Sequence, residues 1–526
     1  MKQARKIFWD ALLLTATSLL MRTVGIWFQV TVSNRAGAEV MGLYTLMAGV
    51  YGFALTLATS GIYLGVTRLV AELLSDNDQR RIKGFMKTAC LYAALCGCFA
   101  SMVLFSCSHV IGTRWLSDPR TVPSLRLFAF SLPFIALSSV FSGYFTAVRK
   151  SYKNAGLQVA EQFVKITVTM YLFSLFSSQS TEALLCGLVL GGVCSEIFSF
   201  LVNCILFFFD KNQKKSNSDQ KTPPCCGKAL LKITVPTALT SYIRSGLLTL
   251  QHILIPRGLK KSGFSHAVAL ASYGCIHSMA LPVILYPAAL ISSFSGLLIP
   301  TMAECHVQGY RRQIRYIVAR VWFFAMLFSV GTAGILICFS EELGALLYPN
   351  TETAKYIRLL APLIPIMYLD TATDAMLKGL GEQIYSMKIN VMDALISVGL
   401  VWLLVPTLGV NGYIITVYVS EMFNTVFSVT KLLSVSQVSA KLLKWVYQPL
   451  LCILAATYVS KFFFSAVTLP ILSSTANSVL HCALTATVYV GLLILTGTLN
   501  REELSWGRGL FLPTKERQEK VTETTV

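Results

Sequence analysis

Charge is scarce in this chain, and acids are scarcer than bases. Only 13% of its 526 residues are charged, where a soluble domain carries roughly 25%. With 54% hydrophobic residues and a mean hydropathy of +0.63, that deficit excludes a soluble globular protein. Long polar stretches are lacking too. The only strongly polar internal one, Asp210 to Lys228, is rich in Lys, Ser, Asn and Pro. It can bury too little to fold alone. No separate catalytic domain fits outside the apolar runs, so function must come from those runs and their short loops. The six histidines do not cluster, and the fourteen cysteines are scattered with no zinc-site spacing. Without clustered His, Asp or Glu near a membrane face, a membrane acyl- or glycosyltransferase is disfavoured. The chain reads as not an enzyme, with no cofactor and no metal.

What is present is a series of fourteen apolar segments. They cover residues 9–32, 41–67, 85–112, 122–147, 157–177, 183–209, 229–256, 267–301, 315–339, 356–378, 384–406, 410–431, 445–467 and 475–497. Each is near or above the roughly 20 residues that a crossing needs. Lys2, Arg5 and Lys6 precede the first, which is too long for a signal peptide and lacks a small-residue cleavage motif. It is expected to be the first span.

The net charge of +19 invites a nucleic-acid reading, but its distribution argues against one. Assigned to alternate loops, 29 Lys and Arg fall on one side of the membrane and 9 on the other. By the positive-inside rule both termini are cytoplasmic. The charge is topological, and no nucleic acid is implied.

An offset of 232 superposes the two halves without a gap. It places Ala71-Glu72 on Ala303-Glu304, Arg80 on Arg312, Pro133 on Pro365 and Glu161 on Asp393. Matches at prolines and charges, in order, are hard to produce by chance. Six segments per half return the chain to its starting side, so the repeat is parallel, an architecture of transporters. The expected fold is all-α: two six-helix lobes in parallel repeat plus two C-terminal helices. The expected domains are an N-terminal lobe (1–209), a cytoplasmic linker (210–228), a C-terminal lobe (229–440), the last two helices (441–500) and a cytoplasmic tail (501–526).

An ionisable group inside a membrane usually faces a wet cavity or a partner. Arg22 and Arg244 sit mid-segment at equivalent places in the two halves and are expected to face each other across the central axis. No acid lies within one helical turn of either. Arg68 has two readings, a cavity contact or an ion pair with Glu72 at i,i+4. Arginine's fixed fork of donors suits phosphate oxygens, so these three are candidate binders of a pyrophosphate head group. Among polar residues of the later segments, Asp370 and Asp374 share one face of segment ten. Asn390 and Asp393 lie in segment eleven, and Glu421 and Asn424 in segment twelve. Asn390, Asp393 and Glu421 are the candidates for a coupling sodium ion or proton. Alternatively, Asp370 and Asp374 simply lie where water reaches. Segment eight, with Pro282, Pro287, Gly296 and Pro300, is the most interrupted.

Three stretches carry a family resemblance: SGIYLGVTRLVAE at 60–72, AALISSFSGLLIPTMAE at 288–304 and the run from Ala375 to Thr416. They resemble polysaccharide-biosynthesis flippases of the multidrug/oligosaccharidyl-lipid/polysaccharide (MOP) exporter superfamily. Within it the chain is most similar to the stage V sporulation protein B branch, kin to lipid II flippases of the MurJ type. The resemblance implies a central cationic cavity and transport of an undecaprenyl-pyrophosphate-linked sugar, with the peptidoglycan precursor among the candidates. It implies head-group contact by arginines of the first two segments, which Arg22 and Arg68 fit. Segments thirteen and fourteen would form a lateral groove for the lipid tail. Some relatives hold sodium with acids and amides of segments seven, eleven and twelve. Segment seven here has no acid between Ala229 and Pro256, a departure from that pattern. The expected partners are the lipid-linked oligosaccharide and membrane lipids, with the chain a monomer. Coupling to sodium, protons or membrane potential stays open. The alternative is a cation-coupled drug or metabolite antiporter of the same fold, which would want acids where the first two segments offer arginines.

Overall fold

A computed structural model describes residues 2–75, 79–148, 150–176, 180–210, 227–348, 351–438, 442–466 and 474–499. Among them every regular element is a helix, and each apolar segment is helical over most of its described residues. In hydrocarbon each backbone polar group must find its partner within the segment, which leaves the helix as the solution for an isolated run. Eight stretches among the described residues are long and apolar enough to cross a membrane.

The chain divides into two compact units. One gathers Met1–Asn34, Cys275–Asp393 and Ile414–Val526; the other gathers Arg35–Gly274 and Ala394–Tyr413. The polar stretch at 211–226 and the tail at 500–526 lie outside the described residues.

In the second unit, two glycines break the early helices. Helix Lys2–Thr59 is interrupted at Gly37, where φ is 82° and ψ is 166°. Gly61, with φ 78°, separates it from helix Ile62–Ser75. Both angles lie where a side chain is strained and glycine is not. A second glycine role is close approach. A Cβ on Gly42 would stand 2.0 Å from the Leu270 carbonyl oxygen, and one on Gly274 would stand 2.2 Å from that of Ala38. The two helices therefore meet backbone to backbone. Elsewhere the unit is sealed by aromatic side chains of segments four and six, with Phe141 and Tyr144 each against Phe207. At its edge Asp210, 3% exposed, ends helix Thr181–Phe208. Its carboxylate takes the Lys150 ammonium, lies 3.9 Å from that of Lys153, and accepts the Tyr144 hydroxyl at 3.4 Å.

The first unit is centred on Trp322, which is fully buried among Met302, Val318, Met376 and Leu377. Its indole N–H donates to Thr373 at 3.0 Å, the partner that a buried indole requires. Segments thirteen and fourteen dock here on segment nine. Tyr489 donates to the Leu327 carbonyl at 2.8 Å, and its ring occupies the space that a Cβ on Gly331 would need. Ser460 and Thr485 share a buried hydrogen bond of 2.6 Å. Some of the small residues of these segments thus serve helix packing.

Candidate head-group and cation sites

Segment eight is a helix in pieces. Helix His266–Gly274 gives way to a π-helical stretch, Cys275–Ala280, then to the short helix Leu281–Leu285. A break at Tyr286–Pro287 follows before helix Ala288–Val307. Proline removes a ladder bond. Here a side chain inserts beside the break. Tyr368, wholly buried on segment ten, donates to the Ile284 carbonyl at 2.8 Å. A side chain inserted into the i→i−4 ladder is a recognised cause of helix kinks. Broken helices at membrane depth are tolerated where they are buried in protein or line a cavity.

Segment one packs beside this break within the same unit. Gln29 donates to the Ser278 carbonyl at 2.8 Å, and Thr23 shares a 2.8 Å hydrogen bond with the Tyr286 hydroxyl. Next to Thr23, Arg22 is exposed, and among the described residues no carboxylate pairs with it. A permanently charged side chain exposed along an apolar helix needs water or an anion.

The other two candidate arginines lie in the second unit. Arg244 is also exposed with no carboxylate partner among the described residues. Its neighbour Ser245 receives a hydrogen bond from Thr56 at 3.1 Å. Arg68 pairs with Glu72 at 3.0 Å, with the two side chains 66% and 56% exposed. The pair reading of Arg68 is therefore realised, though an exposed pair of this kind contributes little and is readily exchanged.

The acids of the later segments gather in the first unit. Asp393 accepts from Ser420 at 2.5 Å, and Asp370 accepts from Asn424 at 3.1 Å. Glu421 lies close enough to feel the charges of both aspartates. Asp370 Oδ1 and Asn424 Oδ1 are buried with no hydrogen-bond partner. Asn390 instead donates to the Ser386 carbonyl at 2.8 Å. Asp374 is taken by Lys378 at 2.5 Å and by Ser386. The structure thus pairs Asp370 with Asn424 and Asp393 with Ser420. Segment spacing pairs Asp370 with Asp374; only tertiary packing reveals Asn424 as its partner. Among the described residues no three His, Cys, Asp or Glu side chains converge as metal ligands. Carboxylate, amide and hydroxyl oxygens on three helices suit a proton or a weakly held monovalent cation.

A further charged cluster lies outside the apolar segments. Asp118, 3% exposed, caps the short turn Pro119–Thr121. It accepts from the Arg120 amide at 2.9 Å and from its guanidinium at 2.6 Å. Arg120 also reaches Glu39 at 2.8 Å, and His266 Nε2 lies 3.4 Å from Asp118. Burial works to raise the Asp118 carboxyl. The hydrogen bonds and charge of Arg120, with His266, overcome that and hold it below its ordinary range.

Known proteins resemble this chain in sequence and in fold. The profile of the polysaccharide biosynthesis protein family matches residues 8–306, and that of the MatE family matches residues 262–403. Stage V sporulation protein B of Bacillus subtilis (strain 168) is 24% identical over 501 residues, 94% of this chain and 96% of that protein. Sporulation protein YkvU of the same strain is 19% identical over 382 residues, 71% of this chain and 82% of that protein. Among solved structures, lipid II flippase MurJ in an inward closed conformation superposes with a TM-score of 0.71. It is 12% identical, and the match covers 93% of this chain and 99% of that one. An inward-facing multidrug resistance transporter of the MATE family gives 0.63 at 12% identity, covering 81% and 99%. The fold is that of a multi-pass membrane transporter.

Proposed function

The chain belongs to the polysaccharide biosynthesis protein family, within the MOP exporter superfamily, and on that premise we propose that it flips a polyprenyl-pyrophosphate-linked oligosaccharide across the cytoplasmic membrane by alternating access. The observation that carries this reading is Arg22, a permanent cation exposed in an apolar segment beside a broken helix. Arg244 repeats the pattern in the other unit. Guanidinium groups bind the oxygens of a pyrophosphate through parallel donors, and few acids stand near to compete. A drug antiporter for organic cations would place carboxylates there instead.

The peptidoglycan precursor lipid II is the first substrate to test, since it is named for the structural relative. Sporulation is the setting named for the sequence relatives. Asp370, Asp393, Glu421 and Asn424 form the coupling-cation site in this reading, with both termini cytoplasmic.

The test is a flipping assay in proteoliposomes holding the full chain and an undecaprenyl-pyrophosphate-linked sugar. The parent should translocate it. Arg22→Gln and Arg244→Gln should each slow translocation by about tenfold or more, one charge-assisted contact being worth ~1.5–3 kcal/mol. Parental rates in both variants, or a parent that moves only organic cations, would overturn the proposal.

A further inference from the structure

We propose that Arg311, Arg312 and Arg315 bind the phosphates of anionic phospholipids and so seat the turn between segments eight and nine on the membrane face. The turn itself is rigid. Helix Ala288–Val307 closes at Gly309, where φ is 73°. The Gly309 N–H donates to the His306 carbonyl at 3.2 Å, and the Tyr310 N–H donates to that of Cys305 at 3.0 Å. This pair of bonds is a Schellman stop, and helix Arg311–Cys338 starts at once.

The new helix has two unlike sides. Ile314, Ile317 and Val318 are buried in the cluster around Trp322. Arg311, Arg312 and Arg315 are exposed. At ~3.6 residues per turn they fall within about 100° of one another. Tyr316 continues the arc, with the Arg320 guanidinium 5.2 Å from its ring centre. The first turn holds no acid, and among the described residues no carboxylate pairs with Arg311, Arg312 or Arg315.

That arrangement is costly alone. Arg311 and Arg315 are like charges at i,i+4, and cations at the start of a helix oppose its dipole. Anions laid over the face relieve both costs. Topology asks only for cations somewhere in the loop. Here they share one helix face, and the repeat sets cations at the same register in the first half. Arg80 matches Arg312, and the exposed Lys83 matches Arg315.

The surroundings of the arginines name the occupant. Val307 and Tyr310, 86% and 51% exposed, stand at the same turn. An aliphatic chain and an amphipathic ring suit the head-group boundary, where tyrosine is enriched. Guanidinium forks match phosphate oxygens. Phosphatidylcholine also offers a phosphate, but its quaternary ammonium repels the same arginines. An acidic lipid such as phosphatidylglycerol is therefore preferred.

The test uses the full chain in phosphatidylcholine nanodiscs. A small share of the lipid is a photoreactive phosphatidylglycerol or, in parallel, a photoreactive phosphatidylcholine with the same chains. Cross-links to residues 304–316 are counted by mass spectrometry. In the parent the acidic probe should label this stretch at least about fivefold more, the scale of one interfacial arginine. Salt at about 1 M should erase most of that preference, since the screening length falls to ~3 Å. Replacing all three residues together, Arg311→Gln with Arg312→Gln and Arg315→Gln, should cut it to less than about twofold. The matching triple change to Lys keeps the charge and should keep most of the preference. Equal labelling by both probes in the parent, a preference that survives high salt, or equal loss in the Gln and Lys variants would overturn this inference. So would displacement of the acidic probe by undecaprenyl pyrophosphate at a tenth of the phosphatidylglycerol needed, because the face would then serve the transported lipid. None of these outcomes bears on the flippase reading, which the Arg22 and Arg244 variants test.

Discussion

Tyr368 donates its hydroxyl to the carbonyl of Ile284 at 2.8 Å, on the spot where a ladder bond of segment eight would have closed. The two residues are 84 apart in sequence, and both are fully buried. The contact gives a carbonyl beside the proline kink a buried partner on another helix, which fixes the break in place.

Tyr368→Phe removes that oxygen and little else. It is expected to cost about 1–3 kcal/mol, the usual penalty for leaving a buried polar group unpaired. Backbone hydrogen exchange over residues 284–288 should quicken. Unchanged exchange there would mean that the ladder closes directly and that Pro287 alone sets the break.

The Asp118 cluster predicts an acid-sensitive contribution to stability. Its folded carboxyl titrates below the ordinary value of 3.8. A depressed acid stabilises the fold at every pH above its unfolded value, and the contribution fades as pH falls through the folded one. Asp118→Asn should therefore unfold more readily than the parent at pH 7, and the gap should narrow as pH falls below the ordinary carboxyl value of 3.8 and through the lower folded one. Arg120→Ala, which strands a buried carboxylate, should cost about 3 kcal/mol at neutral pH. Thermal unfolding in detergent across this range decides the matter. A gap between parent and Asp118→Asn that persists undiminished in acid would refute the assignment.

For the coupling site, Asp370→Asn is close to isosteric and removes one carboxyl of three. Flipping driven by a sodium or proton gradient should fall by about tenfold, on the scale of one charge-assisted contact. Asp374→Asn is the comparison, since its carboxylate is occupied by Lys378 and Ser386. Equal losses in the two variants would show that the first acts through structure and not through a cation.

Local features of this chain were readable in advance and long-range ones were not. The Arg68–Glu72 pair follows from i,i+4 spacing, and the break of segment eight follows from Pro287. The helical class follows from long apolar runs with few charges. By contrast, no spacing rule connects Asn424 with Asp370, 54 residues earlier, or Tyr286 with Thr23, 263 residues away. An apolar period says which face of a helix is buried, but not which helix covers it. For the same reason the grouping of Met1–Asn34 with Cys275–Asp393 was not visible from hydropathy. The exposed Thr23 and Tyr286 gave no signal, because Thr and Tyr are unremarkable in membrane helices until their neighbours are known.

The clamp on Asp210 has a mechanical meaning. Any displacement of the chain at Asp210 meets a carboxylate held by Lys150, Lys153 and Tyr144. The load does not fall on the end of helix Thr181–Phe208 alone. It is divided at once among that helix, the end of helix Val122–Ala147 and the start of helix Ser151–Phe176. Asp210 therefore couples three helices as a yoke couples a team.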